Sequence, residues 1–278
     1  MIQAELPMPP TSVELDCSPV TVREMFALPM AINDFAIISF RNLEFDVAVV
    51  DESEICMFIS NYPVKDLTNY LFKGDGPELI VNVPLSGISG FLDILSKMIP
   101  ETNVNLLVDN TGIQVDAGEI VWSCSALASS IDNNIKMPGL TYEYGIPVDA
   151  LRAARDVPKL GSLNDLLTFS MRKWADGGKI FTISNLDILS DAVINVNFRE
   201  GEPGGPQTTF ETKECIYPEY FINRILEQIW HYSSLIHVEF ENSYPLRISW
   251  ANTAHGQSIF LLAPRVFDLS AFGGKEAI

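Results

Sequence analysis

The feature that most constrains the fold of this chain is an internal repeat. Two consecutive segments, 19–125 and 146–266, show the same order of predicted elements. In each segment an amphipathic helix is followed by strands, a second amphipathic helix and further strands that end in an apolar run. The second helix begins about 65 residues after the first in one segment and about 71 residues after it in the other. This repetition predicts a pseudo-symmetric body made of two similar α+β domains.

Shifts in composition divide the chain into five predicted parts. Residues 1–12 are rich in proline and are predicted to be a flexible lead-in. Residues 126–140 are polar at their centre and contain Pro138-Gly139 near their end, which is typical of a connector between domains. We therefore predict an N-terminal domain at 13–125, a C-terminal domain at 141–266 and a tail at 267–278.

Four helices are predicted, and the first has the clearest boundary signals. Ser18 is a favourable N-cap, Pro19 suits the first helical position, and Pro29 should end or kink the helix. The four predicted helices are 19–30, 85–98, 148–157 and 218–232. A turn is predicted at 109–112 between two short strands.

Composition indicates a folded protein that is not basic overall. The chain has 278 residues, of which 47% are hydrophobic, and 36 acidic residues against 18 basic ones give a net charge of −18. A net charge of this sign argues against general wrapping of nucleic acid, although one basic face remains compatible with it. No apolar run reaches the length of a membrane span, and the first residues do not resemble a signal peptide. We expect an intracellular protein whose cysteines are small buried thiols: Cys17, Cys56, Cys124 and Cys215.

Signatures of enzymes are scarce. The sequence contains no glycine-rich nucleotide motif and no nucleophile elbow, and its histidines, His231, His237 and His255, are far from any zinc-ligand spacing. The acidic run 51–54 could hold a metal ion, but a solvated turn between strands is the favoured interpretation. We predict no catalytic residues, no metal and no cofactor.

Every predicted helix carries at least one basic residue. One interpretation is a scattered set of surface charges. The other is that the helices line one concave face and contact phosphates, since helical neighbours three residues apart share a face. The residues concerned are Arg23, Lys97, Arg152, Arg155, Lys159 and Arg224.

Three stretches, in order and at compatible spacing, resemble the sliding clamps of the proliferating cell nuclear antigen (PCNA) type. Residues 50–57, with the sequence VDESEICM, are similar to a strand-turn motif of that family. Residues 151–157, LRAARDV, resemble its third helix. A strand that begins at Pro245-Leu246 is followed by the ending LLAPRV at 261–266.

The resemblance implies the DNA clamp fold, with two similar domains that each place two helices on an inner face and antiparallel sheets outside. Such subunits close into a ring, here a homotrimer or a heterotrimer, around double-stranded DNA of any sequence. The implied partners are DNA polymerase, the clamp loader and other proteins that carry a clamp-binding peptide in replication and repair. The setting would be the cytoplasm of an archaeon or of a virus-infected host, or the nucleus of a eukaryote.

The resemblance also implies an apolar pocket that docks partner peptides beneath the connector. Carried onto this chain, it comprises Val50, Met57, Ile135, Met137, Pro138, Pro245, Leu261, Ala263 and Pro264.

This chain departs from the family on the implied inner face. Gly90, Asp93 and Gln228 occupy positions where the family commonly has lysine, so the inner electrostatic field should be weak. Two alternatives stay open: a subunit of a checkpoint-type clamp, and an acidic α+β scaffold that binds proteins without encircling DNA.

Overall fold

A computed structural model describes seven ranges of the chain: 11–74, 76–127, 143–147, 166–174, 179–186, 193–200 and 209–265. The helices in these ranges are α1 (Pro19–Met30), α2 (Ser89–Leu95) and α3 (Glu219–Ile229), with a 3₁₀ turn at Val64–Asp66. The strands are β1 (Ser12–Cys17), β2 (Phe35–Phe40), β3 (Glu44–Val50), β4 (Cys56–Pro63), β5 (Asn69–Lys73), β6 (Leu79–Pro84), β7 (Val104–Asp109), β8 (Gly112–Asp116), β9 (Val121–Ser125), β10 (Glu143–Pro147), β11 (Leu166–Trp174), β12 (Lys179–Leu186), β13 (Val193–Glu200), β14 (Thr209–Pro218), β15 (Leu235–Glu239), β16 (Leu246–Ala251) and β17 (Gln257–Leu262).

The strands form three sheets, and the strand pairs whose register is described are antiparallel. One sheet has the order β5-β1-β7-β8-β9, a second β10-β15-β16-β17-β4-β3-β2-β6 and a third β13-β12-β11-β14. Buried and more exposed residues alternate along β3 and β4, as expected for strands with one face on a core. The α+β class with antiparallel sheets, predicted from the sequence, is confirmed.

The described residues fall into two compact units. Unit 1 contains those up to residue 127 together with 227–233 and 249–260. Unit 2 contains the described residues between 143 and 226 together with 234–248 and 261–265. Segments from near the end of the chain therefore complete the unit that the first half begins.

The core of unit 1 surrounds α1, which is buried on almost every side. Its core includes Leu15, Leu106 and Val115 from neighbouring strands of the five-stranded sheet, with Ile38 and Val47 from β2 and β3. Phe26 of α1 packs edge-on against Trp122, with ring centroids 5.8 Å apart. A helix that is apolar all round requires cover on all sides, and the two sheets and α2 supply much of it.

Unit 2 has an aromatic core. Phe169 of β11 packs edge-on against Tyr217 of β14 and against Phe240, with centroid distances of 5.5 Å and 6.1 Å. The buried Tyr217 hydroxyl donates to the Tyr244 carbonyl oxygen at 2.9 Å, so its polar end is satisfied. Within unit 2, α3 adds the buried Ile222, Ile225 and Leu226.

A turn at 252–256, between β16 and β17, is fixed onto β4 within unit 1. The Asn252 amide donates to Ser60 Oγ at 3.1 Å and to the Asn61 carbonyl oxygen at 2.6 Å. Its own oxygen accepts from the backbone N–H of Gly256 at 2.8 Å. Ser60 Oγ also shares a hydrogen bond of 2.7 Å with Ser258 Oγ. These buried bonds fix the register of the turn on the strand.

Predictions from local signals are largely confirmed. The Ser18 side chain accepts from the Thr21 N–H at 3.1 Å, and α1 ends at Met30, one residue after Pro29. In the predicted 109–112 turn, Asp109 accepts from the Thr111 N–H at 2.7 Å. Three of the four cysteines are buried and Cys124 is half-buried, all as free thiols.

Other predictions were incomplete. The second helix is shorter than predicted, because Gly87 has φ of +83°, which no α-helix accommodates, and the helix begins only at Ser89. The strands β5 and β14 were not predicted. The tail, the predicted helix 148–157, most of the connector and residues 1–10 of the lead-in lie outside the described residues, whereas Ser12, predicted to belong to the lead-in, is the first residue of β1. None of the described helices has the length and apolar character that crossing a membrane requires.

Gly256 provides a test of how tightly the turn is seated. A Cβ atom at this position would lie 1.9 Å from the Asn61 carbonyl oxygen, whereas one at Gly90 would meet nothing within 4 Å. We expect Gly256→Ala to lower the free energy of unfolding by at least ~2 kcal/mol, because backbone must move. Gly90→Ala, at an exposed position in the first turn of α2, should instead raise it by up to ~1 kcal/mol. Chemical denaturation of both variants measures the free energy of unfolding. Equal changes in the two variants would contradict the close packing of the 252–256 turn against Asn61.

Candidate nucleic-acid interface and docking surface

Helix α1 offers one basic residue, and that residue is only partly accessible. Arg23 is half-buried, and its Nε is shielded from solvent without a hydrogen-bond partner. Burial raises the pKa of the nearby Tyr232 hydroxyl to about 12, and the positive charge of Arg23 opposes that rise. The charge of Arg23 therefore acts partly on a buried group of unit 1, the Tyr232 hydroxyl, and not only on solvent or a ligand.

The solvent face of α2 is small and close to neutral. Ser86, Ser89 and Gly90 are exposed along it, followed by Asp93 and Lys97. Lys97, which lies two residues beyond the helix end, is exposed and accessible to a ligand. The acid and the base offset each other, so this face attracts phosphate weakly.

On α3 the basic residue is held by an aromatic neighbour one turn away. Arg224 Nη1 donates to the Tyr220 hydroxyl at 2.7 Å, and its guanidinium lies 5.3 Å from the centroid of the Tyr220 ring. Tyr220 is 56% exposed, and Glu227 is exposed farther along the helix. This face therefore combines one base, one acid and an exposed ring.

The remaining predicted DNA-facing residues, Arg152, Arg155 and Lys159, lie outside the described residues and stay predictions. The structure thus describes three of the six bases, each on or just beyond a different helix.

Two predicted docking residues lie side by side on neighbouring strands of unit 1. Val50 of β3 and Met57 of β4 are cross-strand partners, and both side chains are half-buried. The Asn33 amide donates to the Val50 carbonyl oxygen at 2.8 Å, which secures the end of β3. The sheet therefore presents these two apolar side chains together.

The same sheet face continues into residues that the sequence analysis did not select. Ile37, Ala48 and Ile59 form the adjacent cross-strand row, and all three are half-buried. We call these three residues, together with Val50 and Met57, the β2–β4 patch. The signal for Ala48 and Ile59 was present in the sequence, since they lie two positions from Val50 and Met57 on the same strands, whereas Ile37 joins the row through its pairing with Ala48.

The turn that joins β3 and β4 is closed by Asp51. Its carboxylate accepts backbone N–H bonds from Ser53, Ile55 and Cys56 at 3.0, 2.8 and 2.6 Å. Glu54 takes φ of +56° within this turn. The acidic run forms the turn between strands that was the favoured interpretation, with residues 52–54 exposed and Asp51 buried rather than solvated. Among the residues whose placement is described, no group of three potential metal ligands occurs.

The other described docking residues belong to unit 2. Leu261 is buried on β17, while Pro245, Ala263 and Pro264 are half-buried in the segments that flank β16 and β17. The backbone N–H of Arg265 donates to the Ile216 carbonyl oxygen at 2.8 Å, so the chain after β17 follows β14. The connector residues Ile135, Met137 and Pro138 lie outside the described residues, and their predicted role is untested.

Solved structures of known proteins match almost the whole chain. The A. fulgidus PCNA bound to the C-terminal region of FEN-1 matches with 16% identity and a TM-score of 0.69, covering 92% of this chain and 99% of that one. PCNA from Entamoeba histolytica matches with 11% identity and a TM-score of 0.71, covering 91% and 99%. The Sulfolobus tokodaii PCNA2–PCNA3 complex matches with 14% identity and a TM-score of 0.64, covering 91% and 99%.

No family model and no curated protein matches the sequence. At these identities the structural likeness shows the fold: this chain has the fold of the PCNA-type sliding clamps, as its sequence motifs predicted.

Proposed function

We propose that this chain is a subunit of a DNA sliding clamp. It would act without catalysis, encircling duplex DNA as a processivity factor and tethering the polymerase, the clamp loader and other proteins of replication and repair. The observation that carries the proposal is that the likeness in fold extends over nearly all of this chain and nearly all of the clamps it matches.

Assembly into a ring requires two different surfaces on each subunit, because a closed ring is built from head-to-tail contacts. Two sheet ends suit this purpose. Within the described ranges, β9 ends the five-stranded sheet and β13 ends the four-stranded sheet, each with one side open. By contrast, the end strands β6 and β14 already accept backbone bonds from Leu127 and Arg265. We propose that β9 of one subunit pairs with β13 of the next, which would protect both edges.

The weak charge of the helix faces suits a clamp that slides. Base-specific or strong phosphate contacts would slow movement along the duplex, whereas closure of a ring retains DNA by topology. The bases Arg23, Lys97 and Arg224, with the predicted Arg152, Arg155 and Lys159, would supply diffuse phosphate contacts. The acidic remainder of the surface would disfavour DNA on the outside.

The β2–β4 patch is the proposed docking surface for partner peptides in unit 1. Val50 and Met57 give it an apolar centre, and Ile37, Ala48 and Ile59 extend it. A contiguous, partly exposed apolar patch on a charged protein is typical of a protein interaction site. The remaining predicted pocket residues would add to it from other parts of the chain.

Two alternatives carry specific support. A mixed ring, including a checkpoint-type clamp, is supported by the match to the PCNA2–PCNA3 complex, which contains two different subunits. An acidic scaffold that binds only proteins is supported by the near-neutral faces of α2 and α3 and by the net charge of −18.

If the subunits form a ring, the protein should have the mass of a trimer, and this mass should not change with protein concentration. Light scattering after size exclusion should give about three times the subunit mass of 30.9 kDa. Val121→Lys on β9, where Val121 is 52% exposed in the subunit, should shift the mass toward monomer because a buried lysine opposes edge pairing. Leu43→Lys, at a hairpin tip where Leu43 is 81% exposed, is the matched control and should leave the mass unchanged. A monomer at micromolar concentration would contradict a self-assembling ring.

If the basic residues contact DNA, removing two of them should reduce the stimulation of polymerase. Arg152→Ala combined with Arg155→Ala should reduce stimulation of a cognate polymerase on primed circular DNA several-fold, because phosphate contacts are removed, while the fold persists. Lys65→Ala, in the 3₁₀ turn at Val64–Asp66 and outside the four predicted helices, is the control. Unchanged stimulation in the double variant at low salt would remove these residues from the DNA-facing set.

Peptide docking predicts a selective loss of affinity. The C-terminal region of FEN-1 can serve as the probe peptide, with binding followed by fluorescence anisotropy. Met57→Ser should weaken binding about tenfold, because an apolar anchor of the patch is lost. Ile80→Ser, on the β6 strand where Ile80 is 51% exposed, should not. Equal affinity in the wild type and Met57→Ser would exclude the patch as the docking surface.

A further inference from the structure

The exposed face of α3 carries a large aromatic side chain one turn before the single basic residue of the helix. Tyr220 is 56% exposed, whereas Ile222, Ile225 and Leu226 on the opposite side are buried. Arg224 follows Tyr220 by four positions, so the two side chains share the face that points away from the core. A ring that stays more than half exposed buries little apolar area, so Tyr220 contributes little to folding through the hydrophobic effect.

Tyr220 and Arg224 make two contacts with each other. Arg224 Nη1 donates to Tyr220 Oη at 2.7 Å, which is a short hydrogen bond for a nitrogen donor. The guanidinium carbon Cζ lies 5.3 Å from the centroid of the Tyr220 ring, close enough for a cation–π attraction. Together the two contacts favour one orientation of the guanidinium on the helix surface.

The contact with Tyr220 orients the positive charge of Arg224 without cancelling it, because the partner group is a hydroxyl and not a carboxylate. A guanidinium carries N–H donors on more than one edge, and its planar shape lets an edge bind two phosphate oxygens side by side. Binding in this geometry depends on how the plane is turned. A neutral neighbour that sets this orientation can therefore strengthen a phosphate contact.

We propose that Tyr220 is a positioning residue, which holds the Arg224 guanidinium ready to contact a phosphate of duplex DNA. This role rests on the clamp function proposed above, which brings the duplex to the helix faces. An unrestrained arginine loses side-chain rotamers when it binds phosphate, and this loss of entropy weakens the contact. Because Tyr220 already restricts Arg224, less entropy is lost on binding, so one base on α3 binds phosphate better than an unrestrained arginine would.

A double-mutant cycle on the full chain tests this role. The probe is a fluorescent linear DNA duplex, with binding followed by anisotropy over a series of low salt concentrations. Tyr220→Phe keeps the ring and removes the hydroxyl, so it should weaken binding about two- to fivefold while leaving the salt dependence unchanged, since no charge is lost. Arg224→Ala should lower the slope of log affinity against log salt concentration by about one. In the Arg224→Ala background, Tyr220→Phe should have no further effect.

The mobility of Arg224 in the free protein provides a second readout, which requires no DNA. The order parameter of the Arg224 Nε–H bond, measured by ¹⁵N relaxation, reports how tightly the side chain is held. We expect this order parameter to fall in Tyr220→Phe. The matched control is Tyr244→Phe, which removes the hydroxyl of another exposed tyrosine of unit 2 and should change neither the order parameter nor the affinity for duplex.

The possible outcomes separate this role from the clamp function. The positioning role alone would be overturned by an unchanged order parameter in Tyr220→Phe, by tighter duplex binding in that variant, or by a loss of affinity that is equally large with and without Arg224. A wild type that neither binds duplex nor stimulates polymerase would overturn the clamp function, and the positioning role with it.

Discussion

The seating of residues 252–258 on α1 and β4 is the interaction on which the rest of unit 1 depends. Helix α1 is buried on nearly every side, so it cannot remain stable with one side open to water. The cover arrives from near the end of the chain, and it is fixed by Asn252, Ser258 and Thr253 rather than by apolar contact alone. Buried polar bonds are directional, so they select one register where apolar packing would tolerate several.

In the proposed clamp, ring closure rather than electrostatic attraction would retain the DNA. The body is acidic, and the described helix faces present few bases, some of them already engaged, as Arg224 is by Tyr220. The proposed clamp would bind open-ended DNA weakly. It would still retain DNA once its ring had closed, since release would then require a subunit interface to open. Affinity would thus reside in the contacts between subunits and in the β2–β4 patch rather than in the central channel.

Features set by local chemistry were predictable from the sequence, and features set by distant partners were not. The Ser18 cap, the Asp109 turn and the Asp51 turn each depend on neighbours within five residues. By contrast, β14 has no clean alternation and becomes a strand through its long pairing with β11. The hydrogen bond from the Thr253 hydroxyl to the buried Glu24 carboxylate joins residues 229 positions apart, so local sequence could not predict it either. The docking residues Val50 and Met57 were identified by family likeness. In the row beside them, Ala48 and Ile59 follow from the two-residue period of their strands, whereas Ile37 required the strand register.

The completion of unit 1 by residues 249–260 also bears on how the protein is made. At ribosomal rates of about 5 to 20 residues per second, the segment between residue 127 and residue 252 takes roughly 6 to 25 seconds to synthesise. During that interval the first half has emerged, yet the turn that covers α1 does not exist. The nascent chain must wait with its helix incompletely covered, so vectorial synthesis exposes this protein to chaperone binding for longer than a self-contained N-terminal domain would experience.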